Sequence, residues 1–232
     1  MTLPFYVPPE QLMKDRAEYA RKGIARGKSL VAVEYADGVL ILGENPSGAL
    51  QKISEVYDRI AFAGVGKYTE FEQLRVGGIR RADLTGYAYS RSDVTARSLA
   101  NAYAQTLGHV FTQDVKPFEV EVMVVEVGDT TEGNHIFRIT YDGVLYHDSR
   151  ISAIGGSAED LVSHLTAAFS PDAPLATAIG WAKAACLSVT DGNGQAGWEG
   201  AVVDRTLGRR SFRRLAVHEL AGEGPAAQSA RS

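Results

Sequence analysis

Three consecutive residues, His147-Asp148-Ser149, carry the side-chain types of a hydrolytic triad. In such a site the serine attacks a carbonyl, the histidine takes the serine proton, and the aspartate orients the histidine. A working triad is assembled in space from separate elements of the fold, so adjacency in sequence is weak evidence for one. We therefore assign no catalytic role to these three residues.

The single cysteine, Cys186, lies in an apolar, helical-looking run from residue 178 to 187. One cysteine excludes an internal disulfide and a cysteine-based zinc site. No histidine lies near it in sequence to activate the thiol, so we expect a buried structural cysteine. The other histidines show no metal-ligand spacing, and we expect neither a metal nor a cofactor: His109, His135, His164 and His218.

Residues 64–69 look at first like a phosphate-binding loop, Gly-Val-Gly-Lys-Tyr-Thr. That loop requires a glycine where Ala61 stands, and a serine or threonine directly after the lysine, where Tyr68 stands. We therefore expect the glycines to end a strand and Lys67 to precede a helix.

The 232 residues are 45% apolar, enough to bury the core of one large domain, and the net charge is -4. An acidic chain gives no electrostatic reason to bind nucleic acid. No apolar run of about 18 residues and no signal peptide is readable, so we expect a cytoplasmic protein without a membrane partner. A cluster of arginines is expected to be a solvated strand face or a subunit contact: Arg205, Arg209, Arg210, Arg213 and Arg214.

Short β-branched runs predict four consecutive strands between residues 30 and 63. Asp37-Gly38 predicts a tight hairpin with positive φ, and Tyr57-Asp58-Arg59 predicts a second reversal, so both strand pairs are expected to be antiparallel. A helix ending near Gly77-Gly78 follows, and then a long helix from residue 94 to about 111, capped by Ser92-Asp93.

A second block repeats this order. Strands are expected over residues 118–127, 135–141, 144–146 and 151–154, helices over 158–169 and 175–187, and two last strands over 198–203 and 212–217. Asp142-Gly143 repeats the hairpin signal. Runs of strands alternating with pairs of helices predict a layered α+β fold with antiparallel sheets.

An amphipathic helix is expected before the first strand, starting at Pro8-Pro9-Glu10. Its apolar face carries Met13, Ala17, Ala20 and Ile24 at helical spacing. The pattern alone supports two interpretations equally: a surface helix packed on its own domain, or a helix that docks between subunits.

The chain resembles the α-type subunits of the 20S proteasome, of the actinobacterial kind, from about residue 6 to 217. The motifs that carry the resemblance are Pro9-Glu10-Gln11-Leu12-Met13, Ala20-Arg21-Lys22-Gly23-Ile24, Glu44-Asn45-Pro46, Leu50-Gln51-Lys52-Ile53-Ser54-Glu55, Gly86-Tyr87-Ala88-Tyr89, Ala104-Gln105-Thr106-Leu107, Lys116-Pro117-Phe118-Glu119-Val120-Glu121 and Arg138-Ile139-Thr140-Tyr141-Asp142-Gly143. The resemblance implies a four-layer αββα sandwich of the N-terminal-nucleophile hydrolase type. It also implies a ring of seven identical α subunits stacked on rings of catalytic β subunits.

In the catalytic β relatives, a processed N-terminal threonine attacks the peptide carbonyl and its free amine moves the proton. The resemblance puts Lys28 or Ser29 at the threonine position, Glu44 near the position of the assisting aspartate, and Lys52 on that of the assisting lysine. The nitrogen of Ser29 stands in a peptide bond, so we expect a noncatalytic subunit. The alternative is an active amidohydrolase released by processing at Ser29.

The resemblance also implies roles outside catalysis. Lys52 is expected to bind the C-terminal carboxylate of a ring-shaped ATPase activator, of the mycobacterial proteasome ATPase type, that delivers pupylated substrates. The helix residues Met13, Ala17, Ala20 and Ile24 are expected to serve ring assembly. We expect a gate segment and docking helix over residues 1–28, the sandwich domain over 29–221 and a disordered tail over 222–232. The gate itself comprises Met1, Thr2, Leu3, Pro4, Phe5, Tyr6 and Val7.

Overall fold

The computed structural model describes residues 8–47, 49–190 and 197–221. The predicted gate, residues 1–7, and the predicted tail, residues 222–232, lie outside the described residues. The helices are α1 (Pro9–Ala25), α2 (Tyr68–Ala88), α3 (Ala96–Gln113), α4 (Ala158–Ala168), α5 (Leu175–Ser188) and α6 (Val217–Ala221). The strands are β1 (Leu30–Tyr35), β2 (Gly38–Glu44), β3 (Ile53–Tyr57), β4 (Ile60–Gly66), β5 (Val120–Glu126), β6 (His135–Ile139), β7 (Leu145–Asp148), β8 (Ile151–Ile154), β9 (Trp198–Asp204) and β10 (Phe212–Arg214).

The ten strands form two five-stranded sheets. The first sheet has the order β10-β9-β2-β1-β8 and the second has the order β3-β4-β5-β6-β7. Every neighbouring pair in both sheets is antiparallel. The antiparallel pairing predicted for the first four strands is therefore confirmed.

The sheets pack face to face and helices cover their outer faces. An inner core lies between the sheets, with Ile41 and Ile154 from the first and Met123 and Val125 from the second. A second core joins α2 and α3 to the second sheet, and a third joins α4 and α5 to the first. This arrangement confirms the four-layer αββα sandwich.

The two predicted glycine hairpins differ in the structure. Gly143 has a φ of 83°, as the Asp-Gly signal predicts, in the loop between β6 and β7. Gly38 instead starts β2 with ordinary strand geometry, and the turn consists of residues 36 and 37 between the paired Tyr35 and Gly38. The close approach of Val203 explains the glycine, because a Cβ on Gly38 would lie 2.0 Å from the Val203 carbonyl oxygen.

The prediction that a helix ends near Gly77-Gly78 is wrong, since α2 continues to Ala88. A Cβ built on Gly78 would lie 1.7 Å from the hydroxyl oxygen of Tyr103 in α3. Gly78 therefore permits two helices to pack closely. From the sequence alone, the same glycine indicates the end of a helix.

Two boundaries also need correction. The N-cap of α3 is Thr95, whose hydroxyl accepts the Ser98 amide at 3.2 Å, and it lies just after the predicted Ser92-Asp93 cap. The last predicted strand is short, because β10 ends at Arg214 and α6 follows. No helix in the described ranges is both long and apolar enough to cross a membrane.

The two neighbouring glycines of α2 offer a matched pair of substitutions. Gly77 has no atom within 4 Å of a built Cβ, so Gly77→Ala is expected to stabilise the protein by about 0.5–1 kcal/mol through helix propensity. Gly78→Ala is expected to destabilise it by about 1–3 kcal/mol, because the methyl group displaces Tyr103. Thermal unfolding of both variants measures the opposite shifts, and shifts of the same sign would contradict the packing described for Gly78.

Candidate functional site

The start of β1 borders a cleft of about 300 Å³, which we call the β1 cleft. Its walls come from the end of α1, the start of α4 and the end of α5. The lining residues are Ala25, Gly27, Lys28, Ser29, Glu44, Gly156, Ser157, Leu161, Cys186, Val189 and Thr190. Lys28, Ser29 and Glu44, which the resemblance assigns to the nucleophile and acid positions of β relatives, therefore meet in this cleft.

Glu44 is the last residue of β2 and its carboxylate lies on the cleft floor, only 3% exposed. Neither carboxylate oxygen accepts a hydrogen bond within the described residues. The Lys28 ammonium lies 3.0 Å from Oε2, so an ion pair compensates the buried charge. Burying a carboxylate without a cation would be costly, and the geometry thus explains a lysine directly before Ser29.

Lys52 precedes β3, and its ammonium donates hydrogen bonds to two main-chain carbonyl oxygens. These are Lys28 O at 2.9 Å and Glu44 O at 3.1 Å. Burial lowers the pKa of Lys52 from its usual range, and the Glu199 carboxylate opposes that shift. Lys52 therefore joins the start of β1 to the end of β2, and two of its three N–H donors are occupied.

Glu199, near the start of β9, holds the chain that leads into β3. Its carboxylate accepts the backbone amides of Lys52 and Ile53 at 3.0 Å each, and the side-chain amide of Asn45 at 2.6 Å. Sequence reasoning missed Glu199, because it is separated by 147 residues from Lys52 and belongs to no motif.

The β1 cleft lacks the group that N-terminal-nucleophile chemistry requires. The chain runs without a break from α1 through Lys28 to Ser29, so the Ser29 nitrogen is an amide. An amide nitrogen is not basic, since its lone pair is delocalised into the carbonyl. The Ser29 hydroxyl packs against Gly155, where a built Cβ would lie 2.5 Å from Oγ. The geometry gives no support to an amidohydrolase released at Ser29.

The apolar face of α1 points into its own subunit. Ala20 is 0% and Ile24 is 3% exposed, both within the inner core, and Ala17 packs against that core. The assignment of Ala20 and Ile24 to a subunit contact is therefore corrected, because their side chains are buried in the inner core of their own chain. Met13 is 36% exposed, and Leu12 and Tyr19 are exposed on the same helix.

The remaining sequence candidates have structural partners. Cys186 is buried, as predicted, and burial raises the pKa of its thiol to about 12. Asp148 Oδ2 accepts hydrogen bonds from Ser152 Oγ at 2.6 Å and Arg138 Nε at 3.2 Å, and no histidine of the described residues donates to Asp148.

The arginine cluster is largely neutralised by carboxylates of its own chain. Arg210 binds Glu55 at 2.6 Å, and the pairs Arg213–Glu219 and Arg214–Glu199 lie at 2.9 and 3.3 Å. The Arg205 guanidinium donates to two main-chain carbonyls and to Asn134. This pairing matches a structural role better than a nucleic-acid surface.

A pair of antiparallel sheets between two helix layers, with a cleft at the start of the first strand, is the architecture of the N-terminal-nucleophile hydrolase class. The model of the family described as Proteasome subunit matches residues 24–203. A "Proteasome subunit alpha" of Acidothermus cellulolyticus is 54% identical over 95% of this chain and 97% of that protein. A "Proteasome subunit alpha" of Xylanimonas cellulosilytica is 55% identical over 93% of this chain and 93% of that protein. One from Nocardioides sp. is 52% identical over 97% of this chain and 92% of that protein. The chain belongs to the proteasome subunit family, on the α side, and the resemblance found in the sequence is confirmed.

Proposed function

We propose that this chain, as a noncatalytic α subunit, forms the outer rings of a cytoplasmic proteasome core and controls entry to threonine sites on separate β subunits. One observation carries the noncatalytic part of this proposal: the nucleophile position of the β1 cleft holds Lys28 or Ser29 in place of a threonine. The chain would assemble as a ring of seven copies, and each ring would stack on a ring of β subunits. The α subunit names of its relatives support this arrangement.

Ring assembly would use the exposed side of α1. Leu12, Met13 and Tyr19 leave apolar surface on this helix uncovered by their own chain, whereas Ala20 and Ile24 fix the helix to the inner core. A helix that is anchored through Ala20 and Ile24 and keeps other apolar side chains exposed is suited to contact a neighbouring subunit.

Charge substitutions on α1 test ring assembly. Met13→Glu combined with Leu12→Glu is expected to abolish assembly on co-expression with the β subunit, because buried contacts would carry unpaired carboxylates. Lys14→Glu, at an exposed polar position that lies about 100° or more around the helix from Leu12 and Met13, is the control and should leave assembly intact. Electron microscopy and native mass measure ring formation. Complete cores from the double variant would contradict the role of α1.

Activator docking would use Lys52. Two of its donors bind main-chain carbonyls, which fixes the position of the ammonium and leaves one donor for a C-terminal carboxylate. The activator would be a ring-shaped ATPase of the mycobacterial type, delivering pupylated proteins. A lysine is suited to this contact as a compact point charge.

Substitution of Lys52 tests activator docking in assembled cores. Lys52→Ala is expected to abolish activator-stimulated protein degradation and to leave basal hydrolysis of small peptides unchanged. Lys22→Ala, which removes a solvated lysine paired with Glu18, serves as the matched control. Retained stimulation in Lys52→Ala cores of normal thermal stability would refute the assignment.

The gate is proposed for residues 1–7, which the sequence shows to be mainly apolar and aromatic. Seven copies of such a segment near a ring axis could bury one another and close the pore. Pro8 and Pro9 would direct this segment away from α1.

Deletion of residues 2–7 tests gating. Cores with the shortened subunit are expected to hydrolyse small peptides several times faster than the parent core, since diffusion through the pore is no longer obstructed. Assembly is the control, measured by native mass. Unchanged rates in fully assembled cores would exclude a gating role for this segment.

A further inference from the structure

Two histidines meet at the free edge of the second sheet. His135 is the first residue of β6, and His147 lies in the edge strand β7. His135 Nδ1 and His147 Nε2 are 3.3 Å apart. The two histidines are twelve positions apart in sequence, so the pairing of β6 with β7 brings them together.

The strand register holds both rings on one face of the sheet. Phe137 pairs directly with His147, and His135 lies two residues before Phe137 on β6. The His147 ring stacks on Phe137, with centroids 4.7 Å apart and an interplanar angle of 21°. Because Phe137 is a core residue with 1% exposure, it fixes the ring of His147 while the imidazole edge stays accessible.

Charged side chains of both signs surround the two histidines. Both imidazoles line a cavity of about 360 Å³, together with the carboxylates of Glu34, Glu132, Asp148 and Asp172 and the guanidinium of Arg150. Arg97 is a further cation nearby, 5.3 Å from the Phe137 ring centroid. Two of these carboxylates are paired with arginines, Glu34 with Arg150 and Asp148 with Arg138, so the cavity wall is close to charge-balanced.

We propose that His135 and His147 form a two-histidine binding site for a divalent transition-metal cation such as Zn²⁺. Imidazole nitrogens bind Zn²⁺ at about 2.0–2.1 Å, and two ligands of a tetrahedron at that distance lie about 3.3 Å apart. The observed separation of Nδ1 and Nε2 equals this value.

Water completes the coordination in this proposal. Asp148 is engaged by Ser152 and Arg138, and no group of three candidate ligands surrounds one point in the described ranges. The metal would bind both nitrogens in place of the hydrogen bond between them. The imidazole that donates this hydrogen bond would then carry its proton on its other ring nitrogen. The site is therefore an exchangeable surface site that can exist only in the neutral form of both histidines.

Zinc titration of the full chain, in competition with a chromophoric chelator, tests the site. One Zn²⁺ per chain is expected at micromolar concentration, with a rise in melting temperature. His135→Gln and His147→Gln should each weaken Zn²⁺ binding at least about tenfold. Losing even a residue that only hydrogen-bonds a metal ligand lowers metal affinity by about that factor. His164→Gln, an exposed histidine on α4, is the control and should bind like the parent.

Cobalt substitution supplies an independent readout. Co²⁺ bound between two imidazoles and water should give an absorption spectrum that disappears in both variants and persists in His164→Gln. Absence of saturable Zn²⁺ binding would show that the two rings share only a hydrogen bond, and would overturn the proposal. Binding of equal strength in both glutamine variants would also overturn it, because the metal would then lie elsewhere.

Discussion

The peptide bond between Lys28 and Ser29 joins the first strand of the sandwich to the helix before it. Through this bond, α1 is joined to the first sheet, and Ala20 and Ile24 enter the inner core beside strands β4 and β5 of the second sheet. The buried face of this helix contributes to the stability of the sandwich. The same bond keeps the Ser29 nitrogen an amide, without the basicity that proton transfer requires. While it is intact, this bond therefore both holds the buried helix and leaves the Ser29 nitrogen unable to accept a proton.

The charges around that bond serve the fold. Lys28 compensates the buried Glu44, Lys52 joins two strand ends through their carbonyl oxygens, and Glu199 holds the amides that lead into β3. In a catalytic relative a lysine and an acid at such positions would assist a nucleophile. Here the same residue types hold the strand ends together, which explains why a site-like cluster persists without a reaction.

Local patterns in the sequence predicted most elements, because each depends on neighbouring residues. The β-branched runs and the alternation of strand blocks with helix pairs were sufficient for a layered α+β fold. They failed at Gly77-Gly78, where propensity indicates a helix end and the contact between Gly78 and Tyr103 requires a glycine inside a helix. They also failed at Gly38, where a crowded neighbouring strand and not a positive φ explains the residue.

The sequence by itself determined the order of elements, the solitary buried cysteine and, through its motifs, the proteasome family, since these depend on residue types and short spacings. Only the tertiary structure decided which way α1 faces. The helical spacing of Ala20 and Ile24 is compatible both with a contact to a neighbouring subunit and with packing in their own domain, and their position in the inner core identifies the second. It alone brought Glu199 to Lys52 and His135 to His147. Contacts between residues far apart in sequence depend on sheet order and register, and neither is encoded in any local pattern.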